Sequence, residues 1–316
     1  MKQTTEVDTA RKKAKFKKAL LGSIPFYLMA LPGIIYLFIN NYMPLPGLVL
    51  AFKNYNAKKG IYGSEWAGLK NFKYLFATND AFIITRNTLL YNFVFIIVNT
   101  VFAIFVAILL AEMRSKMKNA YQSLILMPYM VSMVIVSYLV FAFLSTENGF
   151  LNNTVIRLLG KEKVSWYMEK KYWPFILVFV HVWKVIGYNC IIYLSTILGI
   201  DRTYYEAAAI DGAGKIRQIT KITLPLLKPT IIMMTLLAIG RIFYSDFGLF
   251  YQVPQNQGAL FSVTNTIDTY VYRGLLELGK PTLSAAAGVY QSLVGFVLIV
   301  VSNLVVRKID KDSALF

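Results

Sequence analysis

Histidine and cysteine each occur once in this 316-residue chain, as His181 and Cys190. One thiol makes no intrachain disulfide, and the pair falls short of the three or four ligands of a zinc site. Cys190 therefore reads as an apolar thiol inside a helix, and metal and redox chemistry are set aside. A lone His with scattered Met residues also argues core packing over haem ligation. Acidic residues are scarce, with 16 Asp and Glu against 33 Lys and Arg and a net charge of +17. No Gly-x4-Gly-Lys-Ser/Thr phosphate loop occurs, so any nucleotide engine of that type must be another polypeptide. Low-complexity tracts, a soluble domain and evident internal repeats are absent from the sequence as well.

What is present is apolar. Hydrophobic residues make up 57% of the chain and charged ones 16%. Several runs reach about 20 residues, enough to cross roughly 30 Å of hydrocarbon as helix. The sequence predicts an all-α, polytopic membrane protein with six transmembrane helices at about 21–40, 88–111, 122–144, 174–198, 226–246 and 282–306. The bases flank these runs instead of covering a soluble domain, which excludes nucleic acid as the reason for the charge and leaves topology and anionic lipid. By this assignment about 18 of the Lys and Arg lie in the shorter internal segments and about 13 in the longer external ones, placing both termini inside.

Residues 1–20 form a basic internal tail, and 21–316 the membrane domain. Pro25 and Pro32 should kink the first helix, which has no evident cleavage site after it. The interval 41–87 reads as an external loop with amphipathic pieces at Gly47 to Phe52 and Leu69 to Phe76; Arg114, Lys116 and Lys118 mark an internal loop; Phe150 to Leu159 is amphipathic within a second external loop.

Between the fourth and fifth helices lies a charged, small-residue stretch, 201–225. Tyr205 to Gly212 holds the strong helix formers Glu206, Ala207, Ala208 and Ala209 and ends in the stop signal Asp211-Gly212. Gly214 adds a second joint, and a further helical piece from Lys215 is closed by Pro225. Two short helices with a glycine elbow follow, presenting small residues for close approach and a carboxylate as an anchor.

The spacing Glu206-Ala207-Ala208, three residues, Gly212, nine residues, Ile222-x-Leu224-Pro225 resembles the signature of permease subunits of bacterial ATP-binding-cassette importers. Tyr244 to Tyr251, Ile267 to Arg273, Ser284 to Gln291, Lys53 to Asn56 and Trp66 to Phe72 are similar to carbohydrate-uptake permeases, in particular those importing oligosaccharides from polysaccharide breakdown. The resemblance implies a type I importer permease (MetI/MalF-like) fold in the bacterial cell membrane. It implies a non-catalytic chain, with ATP and Mg held by two separate ATPase subunits and no cofactor of its own. A second, homologous permease and an extracellular binding lipoprotein would complete the assembly, normally with two different permeases, although a homodimer is open. Carried to matching positions, Glu206, Ala207, Ala208, Asp211, Gly212, Leu224 and Pro225 would form the docking loop for the ATPase. The rival reading is an ion-coupled secondary transporter of small solutes. That would want carboxylates near mid-membrane, whereas Glu112 and Asp246 stand at run ends.

Polar residues in the last three runs mark a candidate substrate path: Lys184, Tyr188 and Asn189, then Arg241, Tyr244 and Asp246, then Tyr290 and Gln291. Aromatic faces would stack on sugar rings and polar groups bond hydroxyls. If Lys184 and Arg241 face that path, an acidic sugar follows. Alternatively they snorkel outward or pair with Asp246, and the tyrosines belong to interfacial belts.

Overall fold

The computed structural model describes residues 22–113 and 115–309; the basic tail 1–20, Arg114 and the segment after Ile309 lie outside them. Among the described residues five helices are long and apolar enough to cross a membrane, and six if a bent pair counts as one broken span. The first, α1 (Gly22–Phe52), outlasts its expected end near 40 by passing through a π turn at Phe38–Tyr42 and a 3-10 stretch at Leu45–Phe52. It stays helical through Pro25 and Pro32. Nothing in its most apolar window is buried.

A two-residue antiparallel pairing, Lys53–Asn54 with Glu65–Trp66, and the amphipathic α2 (Lys70–Ala77) occupy the following loop. Asn71 pins this loop to α1 by donating to the Ala51 and Lys53 carbonyls, both at 2.9 Å. Next comes α3 (Asn79–Glu112), which starts nine residues ahead of the expected Thr88. Its early polar residues can join the helix because a later loop folds over them. Arg86 donates to the Ser262 carbonyl at 2.8 Å and Asn87 to that of Asn265 at 2.9 Å.

The third expected helix, 122–144, is in fact two: α4 (Ser115–Met130) and α5 (Met133–Leu144), bent by 95°. Pro128 supplies no N–H to its helix, and Ser132 restarts the chain by capping the Ile135 N–H. By contrast α6 (Trp173–Leu198) lies where the apolar run predicts it. A short helix, α7 (Arg202–Ile210), precedes α8 (Lys215–Ile239). Pro225 does not close the second loop helix. It sits in the first turn after a π segment at Ile219–Thr223, where its missing N–H costs little, and the span continues. The far end of α8 stops at Ile239 and not at 246. After α9 (Ile267–Leu276), α10 (Pro281–Ile309) covers the last expected span.

Packing is densest where α3 and α6 lie side by side. Ala103 and Ala107 are fully buried against Cys190, Tyr193 and Leu194, their small side chains letting two spans approach closely. Further out the contact becomes aromatic, with Phe95 stacked on His181 at 3.8 Å between ring centres. Two apolar grooves of about 650 and 620 Å3 flank α6, sharing Phe175, Phe179 and Trp183. Such walls suit acyl chains or apolar helices, not hydroxyl-rich sugars.

Candidate functional site

At one end of the spans, α7 begins with Asp201, whose carboxylate accepts the Thr203 N–H at 3.0 Å and is held below its ordinary pKa by that bond. The helix ends in a reciprocal pair of backbone bonds: Gly212 N to the Ala209 carbonyl at 3.0 Å and Ala213 N to that of Ala208 at 2.8 Å. This closure requires a left-handed residue, and Gly212 supplies it with φ of +75°. Tyr204, Ala207 and Ile210 fall on one face at i, i+3 and i+6 and are exposed, Ile210 by 87% and Ile216 beyond the elbow by 80%. Glu206 is exposed too and lines a cavity of about 310 Å3 with Glu112, Arg202 and Lys215. The loop is braced from within by a Lys215–Glu112 ion pair at 2.7 Å and a Tyr205–Thr223 hydroxyl contact at 2.9 Å. Ala208 and Leu224 are half-buried, while Asp211 and Pro225 are exposed.

The other candidate residues gather at two helix breaks. Beside the bend between α4 and α5, the Lys184 ammonium donates to the carbonyls of Pro128 at 3.3 Å, Tyr129 at 3.1 Å and Val131. One turn on, Gly187 lies so close to α4 that a Cβ there would stand 2.2 Å from the Ile125 carbonyl oxygen. Tyr188 then stacks on Tyr129 at 4.9 Å, and Asn189 is half-buried.

The second break follows Ile239. Gly240 packs against Ile299 of α10, and the chain tightens into turns with i to i−3 bonds at Arg241, Ile242 and Tyr244 before a π turn at Gly248–Gln252. Its freed groups are taken by side chains. Asn92 donates to the Ile242 carbonyl at 2.8 Å and that of Tyr244 at 3.0 Å; Gln291 donates to that of Phe243 at 2.7 Å. Asp268 accepts the Ser245 N–H and hydroxyl, both at 2.7 Å, and the Gln291 amide at 3.1 Å. Asp246 caps the π turn through the Leu249 N–H at 3.1 Å. Among the described residues, neither Lys184 nor Arg241 forms an ion pair with it. Tyr290 is packed edge-on to Phe76 and Phe243, with its hydroxyl 3.2 Å from that of Thr85. Arg241 and Tyr244 alone of this group are exposed with side chains that have no polar partner among the described residues. The breaks adjoin each other, since a Cβ on Gly248 would meet Met133 at 2.9 Å.

Sequence reasoning missed Asn92, Tyr129 and Asp268. Asn92 carried the clearest signal, an amide inside an apolar run, where an unpaired polar group is costly.

Residues 99–311, which contain α7, α8 and both breaks, match the family described as binding-protein-dependent transport system inner membrane component. This chain belongs to that family. As an inner membrane component with five or six apolar spans, it is a multi-pass membrane protein. It is 35% identical over 306 residues to the polygalacturonan/rhamnogalacturonan transport system permease protein YteP of Bacillus subtilis, covering 96% of this chain and 94% of the relative. Protein LplB of the same organism is 33% identical over 99% of this chain and 98% of its own length. Among solved structures, a bacterial ABC transporter involved in import of the acidic polysaccharide alginate has a chain that matches with a TM-score of 0.84 and 29% identity. The match covers 94% of this chain and 99% of that one. A second alginate transporter structure, in complex with a periplasmic protein bound to alginate pentasaccharide, matches at 0.83 and 30%, over 93% of this chain and 98% of that one.

Proposed function

We propose that this chain is the non-catalytic permease half of an ATP-driven importer of acidic oligosaccharides, driven through its 201–225 loop. The observation that carries the coupling reading is that loop's shape: an exposed apolar ridge of Tyr204, Ala207, Ile210 and Ile216, with Glu206 beside it and a rigid elbow at Gly212. An apolar ridge with one carboxylate fits a groove on a partner protein, and large exposed apolar side chains off the lipid-facing spans ask for such cover. The partner would be an ATPase subunit, which would hold the ATP and Mg, since the sequence contains no Gly-x4-Gly-Lys-Ser/Thr phosphate loop. Closure of an ATPase dimer would shift the loop and rock the spans between two access states. The loop would then lie in the cytoplasm with both termini.

Substrate class is supported by the relatives, named for polygalacturonan and rhamnogalacturonan in one case and alginate in another. A binding lipoprotein outside the membrane would deliver the sugar, as the alginate complex contains such a protein of its own. The unburied first span supports a second permease subunit, against which α1 would find its contacts.

Reconstitution of the chain with its partner permease, ATPase subunits and binding protein should give ATP-driven uptake of an oligouronide. Glu206→Lys should abolish it by reversing the anchor, and Gly212→Pro by forcing φ near −65° where +75° is needed, with membrane insertion intact in both. Normal uptake in either variant would overturn the coupling role.

A further inference from the structure

The second break is a built feature at the end of α8, held between α3 and α10. Gln291, which holds the Phe243 carbonyl, lies about ten residues and roughly 15 Å of helical rise below Pro281 at the far end of α10. Asn92, which holds Ile242 and Tyr244, lies about thirteen residues and roughly 20 Å below the far end of α3. The two helices are 29 and 34 residues long, so the unwound segment sits well inside both. The carbonyls of Ile242, Phe243 and Tyr244 are taken by Asn92 and Gln291, and the Ser245 N–H by Asp268, with no part for Arg241. The guanidinium of Arg241 is exposed and has no acceptor among the described residues. A charge among apolar spans is expensive unless it lines an aqueous path or finds a partner, and irregular backbone there is tolerated where it is buried in protein or lines a cavity. Beside it the exposed Tyr244 ring rests against Gly295 of α10, its hydroxyl also unpartnered. The other cation is differently placed: three carbonyls occupy the three N–H donors of Lys184.

We infer that the helix break after Ile239 is a sugar-carboxylate subsite in the translocation path, with Arg241 as the residue that selects charge and Lys184 as a positioning residue without charge selectivity. The inference rests on the transport reading above. A planar guanidinium pairs with a carboxylate through two parallel N–H bonds, a geometry no hydroxyl or ester can return. Tyr244 would meet the ring bearing that carboxylate.

The test is initial ATP-driven uptake by the complete reconstituted transporter of an oligouronide and of its methyl ester, which keeps the backbone and removes the charge. Arg241→Gln should lower uptake of the acid about ten- to hundredfold, the loss of a charge-assisted bond pair, and leave the ester within about twofold. Arg241→Lys should return part of the acid uptake. Lys184→Gln should lower acid and ester alike, with co-purification of the partner subunits confirming assembly of each variant. Equal losses of acid and ester in Arg241→Gln, as an ion pair with the partner permease would give, overturn the assignment, as does full acid uptake in that variant. A wild-type complex that moves only the ester overturns it together with the acidic substrate class, while leaving ATP-driven sugar import and the coupling role of the 201–225 loop in place; one that moves neither refutes both.

Discussion

At the bend between α4 and α5, the freed carbonyls of Pro128, Tyr129 and Val131 are gathered by one ammonium, that of Lys184. After Ile239, the carbonyls of Ile242, Phe243 and Tyr244 are divided between the neutral amides of Asn92 and Gln291. Both solutions meet the demand that backbone groups away from water find partners. They differ in what they leave over. The first consumes the Lys184 ammonium, and the second leaves the Arg241 guanidinium without a polar partner among the described residues. An intramembrane charge therefore says little by itself; what its neighbours have already satisfied decides whether it holds the fold or faces a path.

The comparison can be broken most severely at the first break. Gly187→Leu would drive a side chain into the α4 backbone, where even a Cβ stands 2.2 Å from an oxygen, and should abolish recovery of assembled complex by size exclusion. Removal of each cap is milder and ranks the two breaks against each other. Lys184→Met takes a charged donor from three carbonyls, of which that of Pro128 keeps the Val131 N–H at 3.2 Å, and Asn92→Leu takes a neutral donor from two; bonds to charged groups contribute about 1.5–3 kcal/mol against about 0.5–1.5 for neutral ones. Thermal melting of the purified complex should place both below wild type, with Lys184→Met the lower. The reverse order would mean that the ammonium contributes less than a neutral amide. The smallest effect lies outside both breaks, at the Asp201 cap. Its carboxyl is depressed below 3.8 in the fold by the Thr203 bonds, so the cap is fully present above that value and is lost as pH falls through the depressed one. Amide-exchange protection at the start of α7 should fall in acid in wild type and stay level in Asp201→Asn, where nothing titrates.

The apolar spans, five single helices and the bent pair, were legible because burial in lipid leaves long apolar runs, and the loop helices because Glu206 to Ala209, Gly212 and Gly214 act through local propensity and backbone freedom. Where helices break was not legible. Pro128 breaks its span while Pro25, Pro32 and Pro225 do not, because the outcome turns on whether a distant side chain, here Lys184, is waiting for the carbonyls. The end of α8 was marked only weakly, by Gly240 and Arg241 ahead of the apolar Ile242 to Tyr244, because the amides that reward stopping there belong to α3 and α10. Among the candidate path residues, Gln291 and Tyr290 turn their polar groups to the protein's own backbone and side chains, a distinction that no spacing within one helix encodes.

One consequence concerns order in time. No residue from Gly22 to Leu50 is buried, and the first inward-packed position of that span is Ala51. Among the described spans this helix is the first to leave the ribosome, yet the fold offers it the least to hold. On the heteromeric reading it waits in the bilayer for a neighbour made from another message. Completion of the bundle then becomes a signal that two gene products have met, and an orphan chain carries its own mark of incompleteness.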